Sequence, residues 1–327
     1  TLDGRERWRH PLGPFRNFYG MSASPIVAGD LVILLCDQTT GSYLLALDKH
    51  TGRQRWKTAR PEHKEGWSVP IVHQDQLITI GSTRLDSYFL ATGEPRWWMP
   101  ISSNGAMGNA LIDGGNLVLS TSGSNEPWLP TFAAVLDKID KNKDGKISIE
   151  ESANEKDWDE HFGWVDRNDD KFLDAAEWDE ARSLGVGQYG AISLPLSGKG
   201  RLDPGSVHWR FQRNIPYIPT PLLYNGVFYM VKSGGIVTSL DPATGKLLKQ
   251  GRSQEAPGEY YASPVAGDGK VFLVSNEGKL SVLKAGPEWE VLSVSDLGEE
   301  AFATPAIANG RVYVRTRGTL YCFSAPR

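Results

Sequence analysis

A unit of roughly 40 to 45 residues recurs along this chain, and it limits the possible folds more than any other feature. Each copy opens on Ser/Thr-Pro or Val-Pro with an apolar pair and turns at Gly or Asn-Gly. It then runs through alternating strand-like segments and closes on Asp-x-x-Thr-Gly, often followed by Trp. Five openings are plain: Ser24-Pro25-Ile26-Val27, Val69-Pro70-Ile71-Val72, Thr220-Pro221-Leu222-Leu223, Ser263-Pro264-Val265 and Thr304-Pro305-Ala306-Ile307. A sixth, Asn109-Ala110-Leu111-Ile112, has lost its proline. The closings run from Asp48 through Thr51-Gly52 to Trp56, from Ala91 through Thr92-Gly93 to Trp97, and from Asp241 through Thr244-Gly245, where Lys249 replaces the tryptophan. Runs such as Val227 to Val231 and Lys270 to Val274, separated by Gly, Asn and Asp turns, predict one small antiparallel sheet per unit. Such a sheet is apolar on both faces and cannot stand alone, and radial stacking is the usual solution at this period. Proline at the opening fits an innermost edge strand, where a missing N–H costs little. A two-layer sandwich would predict no repeat. The expected fold is all-β: a β-propeller of four-stranded antiparallel blades, six repeats being present, with a small α-helical insertion.

The run Ala46-Leu47-Asp48, Thr51-Gly52 and Trp56, with its weaker copies, resembles the bacterial propellers built from pyrroloquinoline-quinone-like repeats. These are related in fold to quinoprotein dehydrogenases and to the outer-membrane assembly lipoprotein of the β-barrel machinery. The resemblance covers most of the chain outside an acidic insert. It implies that eight blades are common and that the protein works in the periplasm or after secretion. The segment from Leu2 to Trp8 looks like the last strand of a blade. It either completes the final blade after Tyr321, closing a six-bladed ring, or is the stump of a longer, eight-bladed protein, which matches the family's usual number.

Composition excludes several other classes. The chain has 327 residues, 40% hydrophobic and 23% charged, enough apolar content to bury a core. The formal charge of −4 is small and the basic residues are scattered, so nothing marks a nucleic-acid partner. No stretch approaches the roughly 20 apolar residues of a membrane span. The two cysteines, Cys36 and Cys322, lie in apolar strand-like runs and read as buried thiols rather than as a disulfide or metal pair.

The third unit is far longer than its siblings, and its hydrophobic period changes. Phe132, Val135, Leu136 and Ile139 fall at helical spacing, as do Trp158, Phe162 and Val165. The expected division is propeller over 1–125, a helical pair inserted in the third blade over 126–186, and propeller again over 187–327. Between the helices lie two loops with the oxygen spacing of an EF-hand. In the first, Asp140, Asn142, Asp144, the Lys146 carbonyl, Ser148 and Glu151 stand at the ligand positions, with Gly145 at the bend. In the second, Asp166, Asn168, Asp170, the Phe172 carbonyl, Asp174 and Glu177 do so, with Lys171 where glycine is expected. Short oxygen side chains spaced by two converge in a tight turn, and a glutamate at position 12 can give both oxygens, which favours Ca²⁺ over Mg²⁺. Two ions are therefore expected. Ile147 and Leu173, both at position 8, should pair as the strand that joins the loops. A dockerin-like module usually ends on Asp, so glutamate argues for EF-hands. The insert contains no methionine, unlike sensors that open a methionine-rich groove, and this favours a structural ion over a switch.

A catalytic reading finds less. The resemblance implies a quinone on the propeller axis, which the alcohol-oxidising branch covers with two adjacent bonded cysteines. No Cys-Cys pair is present, so pyrroloquinoline quinone is not expected. The six histidines show no metal or triad spacing. The segments leading into the innermost strands do carry aromatic residues at matching places: Phe18, Tyr19, Trp67, Tyr217, Tyr260, Tyr261 and Phe302. They form either a face for a protein, glycan or small-molecule ligand, with Arg16 and Arg317 nearby, or wedges between blades. The expected function is a calcium-binding, non-enzymatic binding or scaffolding propeller. The alternative is a quinone-dependent or related oxidoreductase acting on alcohols or sugars.

Overall fold

The computed structural model describes residues 1–327 except 2, 18, 22, 104–106, 154–161, 167, 184–185 and 325–327, and except the side chain of Trp164. Six antiparallel sheets follow one another, and each of the six repeat openings begins the first strand of one. In sheet 1, Ile26–Ala28, Leu31–Cys36, Tyr43–Asp48 and Gln54–Ala59 pair in chain order. Sheet 2 is built the same way from Ile71–His73, Gln76–Ile80, Arg84–Phe89 and Pro95–Pro100. In sheet 3, Leu111–Asp113, Asn116–Thr121, Gly190–Pro195 and Trp209–Phe211 pair in order, so the long insert leaves between its second and third strands. Sheet 4 contains Leu222–Tyr224, Val227–Lys232, Ile236–Leu240 and Leu247–Arg252. Sheet 5 contains Val265–Gly267, Lys270–Val274, Lys279–Lys284 and Glu290–Asp296. Sheet 6 has three strands among the described residues, Ala306–Ala308, Arg311–Arg315 and Leu320–Ser324. This is the all-β, bladed fold that the repeat predicts.

Local turn chemistry sets the first hairpins. Asn225-Gly226, Asp268-Gly269 and Asn309-Gly310 each place two successive residues at positive φ, the requirement of a type I′ turn between twisted strands. The same register shift, one residue before the Asp-x-x-Thr-Gly closing or its equivalent, recurs in sheets 1, 2, 4 and 5.

The chain divides into two compact units, one of Thr1–Gly105 with Gly123–Gln188, the other of Ala106–Ser122 with Tyr189–Arg327. In the second unit both faces of a strand are buried. Val227, Tyr229 and Val231 point into a core shared with Val271, Leu273 and Leu283 of sheet 5. Phe228 and Met230 point the other way, to Val118, Ala191 and Trp209 of sheet 3. The period-2 alternation of a strand thus serves two cores at once. In the first unit Ile33, Leu35, Leu44 and Trp56 meet Leu77 and Tyr88 across sheets 1 and 2.

The repeat closing has a packing role that its sequence only hints at. A Cβ on Gly52 would stand 2.5 Å from Trp8, one on Gly93 2.5 Å from Trp56, and one on Gly245 2.5 Å from Trp209. The tryptophan that ends one repeat therefore lies flat on the glycine of the next. Its indole N–H donates to a carbonyl there: Trp8 to Lys49, Trp56 to Leu90 and Trp209 to Pro242, at 2.9, 3.2 and 2.8 Å. Asp48 and Asp241 hold the turn open beneath the ring by accepting from the backbone N–H of Thr51 and Thr244.

A polar cluster also lies between sheets 1 and 2. The Arg60 side chain is fully buried and grips Asp37 with two parallel bonds of 2.8 and 3.0 Å, while a third nitrogen donates to Thr79 and Tyr88. His63 Nε2 lies 2.7 Å from Asp86, which Arg84 also holds, and no side chain larger than hydrogen fits at Gly81 beside the His63 ring. Burial alone would raise the Asp86 pKa, but His63, Arg60 and Arg84 outweigh it, and the carboxyl is held below its ordinary value.

Two outcomes follow from these contacts. Gly93→Ala combines a positive φ with a clash on Trp56 and should cost about 2–4 kcal/mol. Gly29→Ala, at positive φ but with nothing within 4 Å, should cost only about 1 kcal/mol; equal shifts in urea midpoint for the two variants would contradict the docking role. Because the folded Asp86 pKa is depressed, its contribution is present above the ordinary carboxyl value near 4 and fades as pH falls through the lower folded value. The stability gap between wild type and Asp86→Asn should therefore stay level from pH 7 to about pH 5 and narrow as pH falls below about 4, as read by denaturant melts.

Candidate metal centre and aromatic surface

The insert builds a core of its own. Helix Phe132–Ile139 starts at Thr131, whose side chain accepts from the Ala134 N–H, and it buries Phe132, Val135 and Ile139 on one face. These pack with Leu129, Ile147, Phe162, Val165, Leu173, Trp178 and Ala181. Trp178, on helix Ala175–Ser183, is fully buried against Phe132 and donates its indole N–H to the Pro130 carbonyl at 2.9 Å. Trp158 of the expected helical series lies outside the described residues. At the base of the insert, Ser124 bridges to Val186 and accepts from the Gly187 N–H, so the two ends of the excursion come together.

The two loops share most of their side-chain-to-backbone bonds, position for position, and differ in a few. In the first, Asp140 accepts from the N–H groups of Lys143 and Gly145 at 2.7 and 3.0 Å. Asn142 accepts from the Asp144 N–H, and Asp144 from the Lys146 N–H, each at 2.9 Å. Glu151 reaches back to the N–H groups of Lys141 and Asn142 with one oxygen and to Ser148 with the other. In the second, Asp166 accepts from Asp170 and Lys171, Asn168 from Asp170, and Asp170 from Phe172. Glu177 accepts from Asn168 and Asp174. Asp174 also caps the exit helix, accepting from the N–H groups of Ala176 and Glu177. Strands Ile147–Ser148 and Phe172–Leu173 pair antiparallel, with Ile147 opposite Leu173.

This geometry aims side-chain oxygens inward. One oxygen each from Asp166, Asp170 and Glu177 lie within 4.8 Å of one another, and Asp166 and Glu177 are buried. In the first loop the Ser148 backbone N–H, then its hydroxyl and the N–H groups of Lys141 and Asn142, hold the Glu151 carboxyl below its ordinary pKa, so the anion a cation needs is ready-made. Gly145 takes φ +83°, and Lys171 takes +71° in the matching place. Position 4 is also left-handed, Lys143 and Asp169 both at +61°, a requirement that the ligand spacing did not reveal.

The aromatic residues divide by environment. In the first unit Tyr19, 70% exposed, leans on Trp67 with ring centroids 5.7 Å apart, and the Trp67 indole N–H donates to the Gly20 carbonyl. Phe18 lies outside the described residues. In the second unit Tyr261 and Phe302 pair at 5.6 Å, and Phe302 and Tyr217 are more than half exposed. Tyr260 differs from its neighbour. It is buried in the core between sheets 4 and 5 and donates to the Ala256 carbonyl at 2.9 Å, so it serves packing and is no part of a surface. Of the two arginines, Arg317 pairs with Glu300, and Arg16 with Asp169 of the second loop. The second of these is a contact that sequence reading missed, since nothing in either segment's spacing points to the other.

A profile for the family described as outer membrane protein assembly factor BamB matches residues 1–138 and 201–326, leaving the loops outside the match. Among solved structures the chain is similar to BamB from Moraxella catarrhalis at 11% identity and a TM-score of 0.55, over 94% of this chain and 71% of that one. It is similar at the same identity and TM-score to a europium-containing methanol dehydrogenase, over 94% of this chain and 68% of that one. The quinohemoprotein alcohol dehydrogenase ADHIIG from Pseudomonas putida HK5 aligns at 12% identity and a TM-score of 0.53, over 93% of this chain and 57% of that one. At such identities the likeness is one of fold. No curated protein matches the sequence.

The split among the aromatics is measurable. Tyr260→Ala should cost about 3–4 kcal/mol through its cavity and lost hydrogen bond, whereas Tyr217→Ala should stay within about 0.5 kcal/mol of wild type. Equal losses in chemical denaturation would mean that both rings are wedges.

Proposed function

This chain belongs to the family of the outer membrane protein assembly factor BamB, and we propose that it acts as a calcium-loaded, non-enzymatic propeller that binds or scaffolds a partner outside the cytoplasm. The observation that carries the calcium reading is the convergence of Asp166, Asp170 and Glu177 oxygens in a loop most of whose side-chain-to-backbone bonds recur in the loop from Asp140 to Glu151. Four carboxylates in the second loop and three in the first, with backbone carbonyls at Lys146 and Phe172, suit a hard cation with six to eight oxygen ligands. Pairing of Ile147 with Leu173 and the shared core around Trp178 support a fixed, filled module rather than one that opens. The Tyr19–Trp67 and Tyr261–Phe302 pairs, in which Tyr19 and Phe302 are exposed and their partners half-buried, are the proposed contact surfaces for a protein, glycan or small-molecule partner.

A quinone cofactor finds less support. Cys36 is buried and Cys322 exposed, both as free thiols on separate sheets, so the chain lacks the adjacent bonded pair that covers the quinone in the alcohol-oxidising branch. No catalytic step is therefore assigned. Supplying pyrroloquinoline quinone with Ca²⁺ and a dye acceptor tests the oxidoreductase alternative directly, because turnover of an alcohol or sugar would displace the scaffold reading.

Calorimetric titration of demetallated protein with Ca²⁺ should register two ions. Glu177→Gln should weaken the second site at least tenfold by removing its bidentate anchor. Lys171→Gly, which relieves a left-handed lysine worth about 1 kcal/mol, should tighten that site by about fivefold. A titration without heat would remove the metal from the proposal.

A further inference from the structure

We propose that the second calcium loop and the Tyr19–Trp67 surface form one coupled device, with Arg16 as the link; the inference rests on the calcium reading above. Asp169 stands at position 4 of its loop, between the ligand-bearing Asn168 and Asp170, and supplies no ligand of its own. Its backbone is left-handed, at φ +61°. One carboxylate oxygen meets Arg16 Nη1 at 3.0 Å, and the other meets Lys171 Nζ at 2.6 Å. Arg16 lies 153 residues away in sequence, so the pair ties the loop to a distant segment of the same unit.

That segment leads to the aromatic surface by an unbroken series of bonds. The Arg16 N–H donates to Gln38 Oε1 at 3.1 Å, and the Arg16 carbonyl accepts from the Thr39 N–H at 2.8 Å and the Thr39 hydroxyl at 3.2 Å. The Thr39 hydroxyl also donates to Glu65, two residues before Trp67. The next residue, Asn17, donates to the Asp37 carbonyl and opens a turn closed by the Gly20 N–H on the Asn17 carbonyl. The Gly20 carbonyl then accepts from Trp67, on which Tyr19 lies. Two residues thus separate Arg16, whose guanidinium holds the second loop, from Tyr19, whose ring forms the surface.

The physical link is conformational. An ion held by Asn168 and Asp170 fixes the left-handed backbone at the residue between them, and so fixes the direction in which Asp169 presents its carboxylate to Arg16. By linkage, whatever steadies Arg16 and its turn must favour the ion to the same degree. The pair is half exposed, so the coupling is modest, about two- to fivefold in either direction. Calcium in this arrangement tunes how firmly the Tyr19–Trp67 surface is presented, without any opening of the helical pair.

Hydrogen exchange tests this on the full chain, with Ca²⁺ alone as the probe against chelator. Calcium should slow exchange of the Gly20 and Thr39 amides by about two- to fivefold in wild type. In Arg16→Gln and in Asp169→Asn that slowing should vanish while calorimetry still finds two ions, the second bound about two- to fivefold more weakly. The exchanged pair Arg16→Asp with Asp169→Arg should restore part of both effects. Calcium that binds wild type without changing those amides, or slowing that persists undiminished in both single variants, overturns the coupling and leaves the metal site standing. A wild type that takes up no calcium overturns both.

Discussion

Burial on both faces of the inner strands, such as Tyr43–Asp48, Gln76–Ile80 and Val227–Lys232, is the constraint from which the rest of this structure follows. Phe228 and Tyr229 are adjacent, and because side chains alternate across a strand they must enter different cores. A lone sheet with that pattern would leave one face in water, at about 2 kcal/mol for each large side chain exposed. The sequence can satisfy both faces only by giving each sheet a neighbour on either side, and this is why the unit repeats. Tryptophan on glycine completes the arrangement. It fixes how far one sheet advances over the next, since a flat indole fits only where no Cβ intervenes, and its N–H finds a carbonyl only at that spacing.

The same constraint explains where an insertion is tolerated. Extra residues within a paired strand would break its register, whereas the turn between the second and third strands of a sheet can be lengthened without disturbing their pairing. In sheet 3 that turn is replaced by the helical pair, whose ends return to within one bridge of each other at Ser124 and Val186. The register of Asn116–Thr121 against Gly190–Pro195 is left unbroken by the excursion. The module carries its own core around Trp178, so it asks nothing of the strands except closely spaced ends. Loop closure of this kind grows only slowly more costly with length, which makes a large insert less demanding than a single misplaced core residue.

Features set by neighbours in sequence were legible in the sequence, and features set by neighbours in space were not. The repeat openings located all six sheets because proline, the apolar pair and Asn-Gly act within a few residues. The turn geometry of the two acidic loops and the pairing of Ile147 with Leu173 were legible for the same reason, since they are set within twelve contiguous positions. The docking of Trp56 was half legible, since the ring recurs at a fixed place but its seat, Gly93, belongs to the following repeat. The cluster of Asp37, Arg60, His63 and Asp86 gave no signal, because each residue comes from a different segment and none keeps a period. Tyr260 and Tyr261 show the limit most sharply. They are adjacent and alike in composition, and only the alternation of side-chain direction sends one inside and the other out.

Family membership and the metal module are independent arguments, and that independence shapes what the protein can be. The family profile stops at residue 138 and resumes at 201, so the propeller is explained by descent while the loops from Asp140 to Glu177 are explained by their own chemistry. Methanol dehydrogenase and BamB share the architecture while their names point to different work, so the sheets alone select neither. What distinguishes this chain is an acidic helical outgrowth, the proposed ion-binding module, whose Asp169 pairs with Arg16 close to the exposed Tyr19. An outgrowth that grips the turn beneath Tyr19 can stiffen a binding surface at small energetic cost, because an exposed ion pair need hold only a few residues and not move a domain.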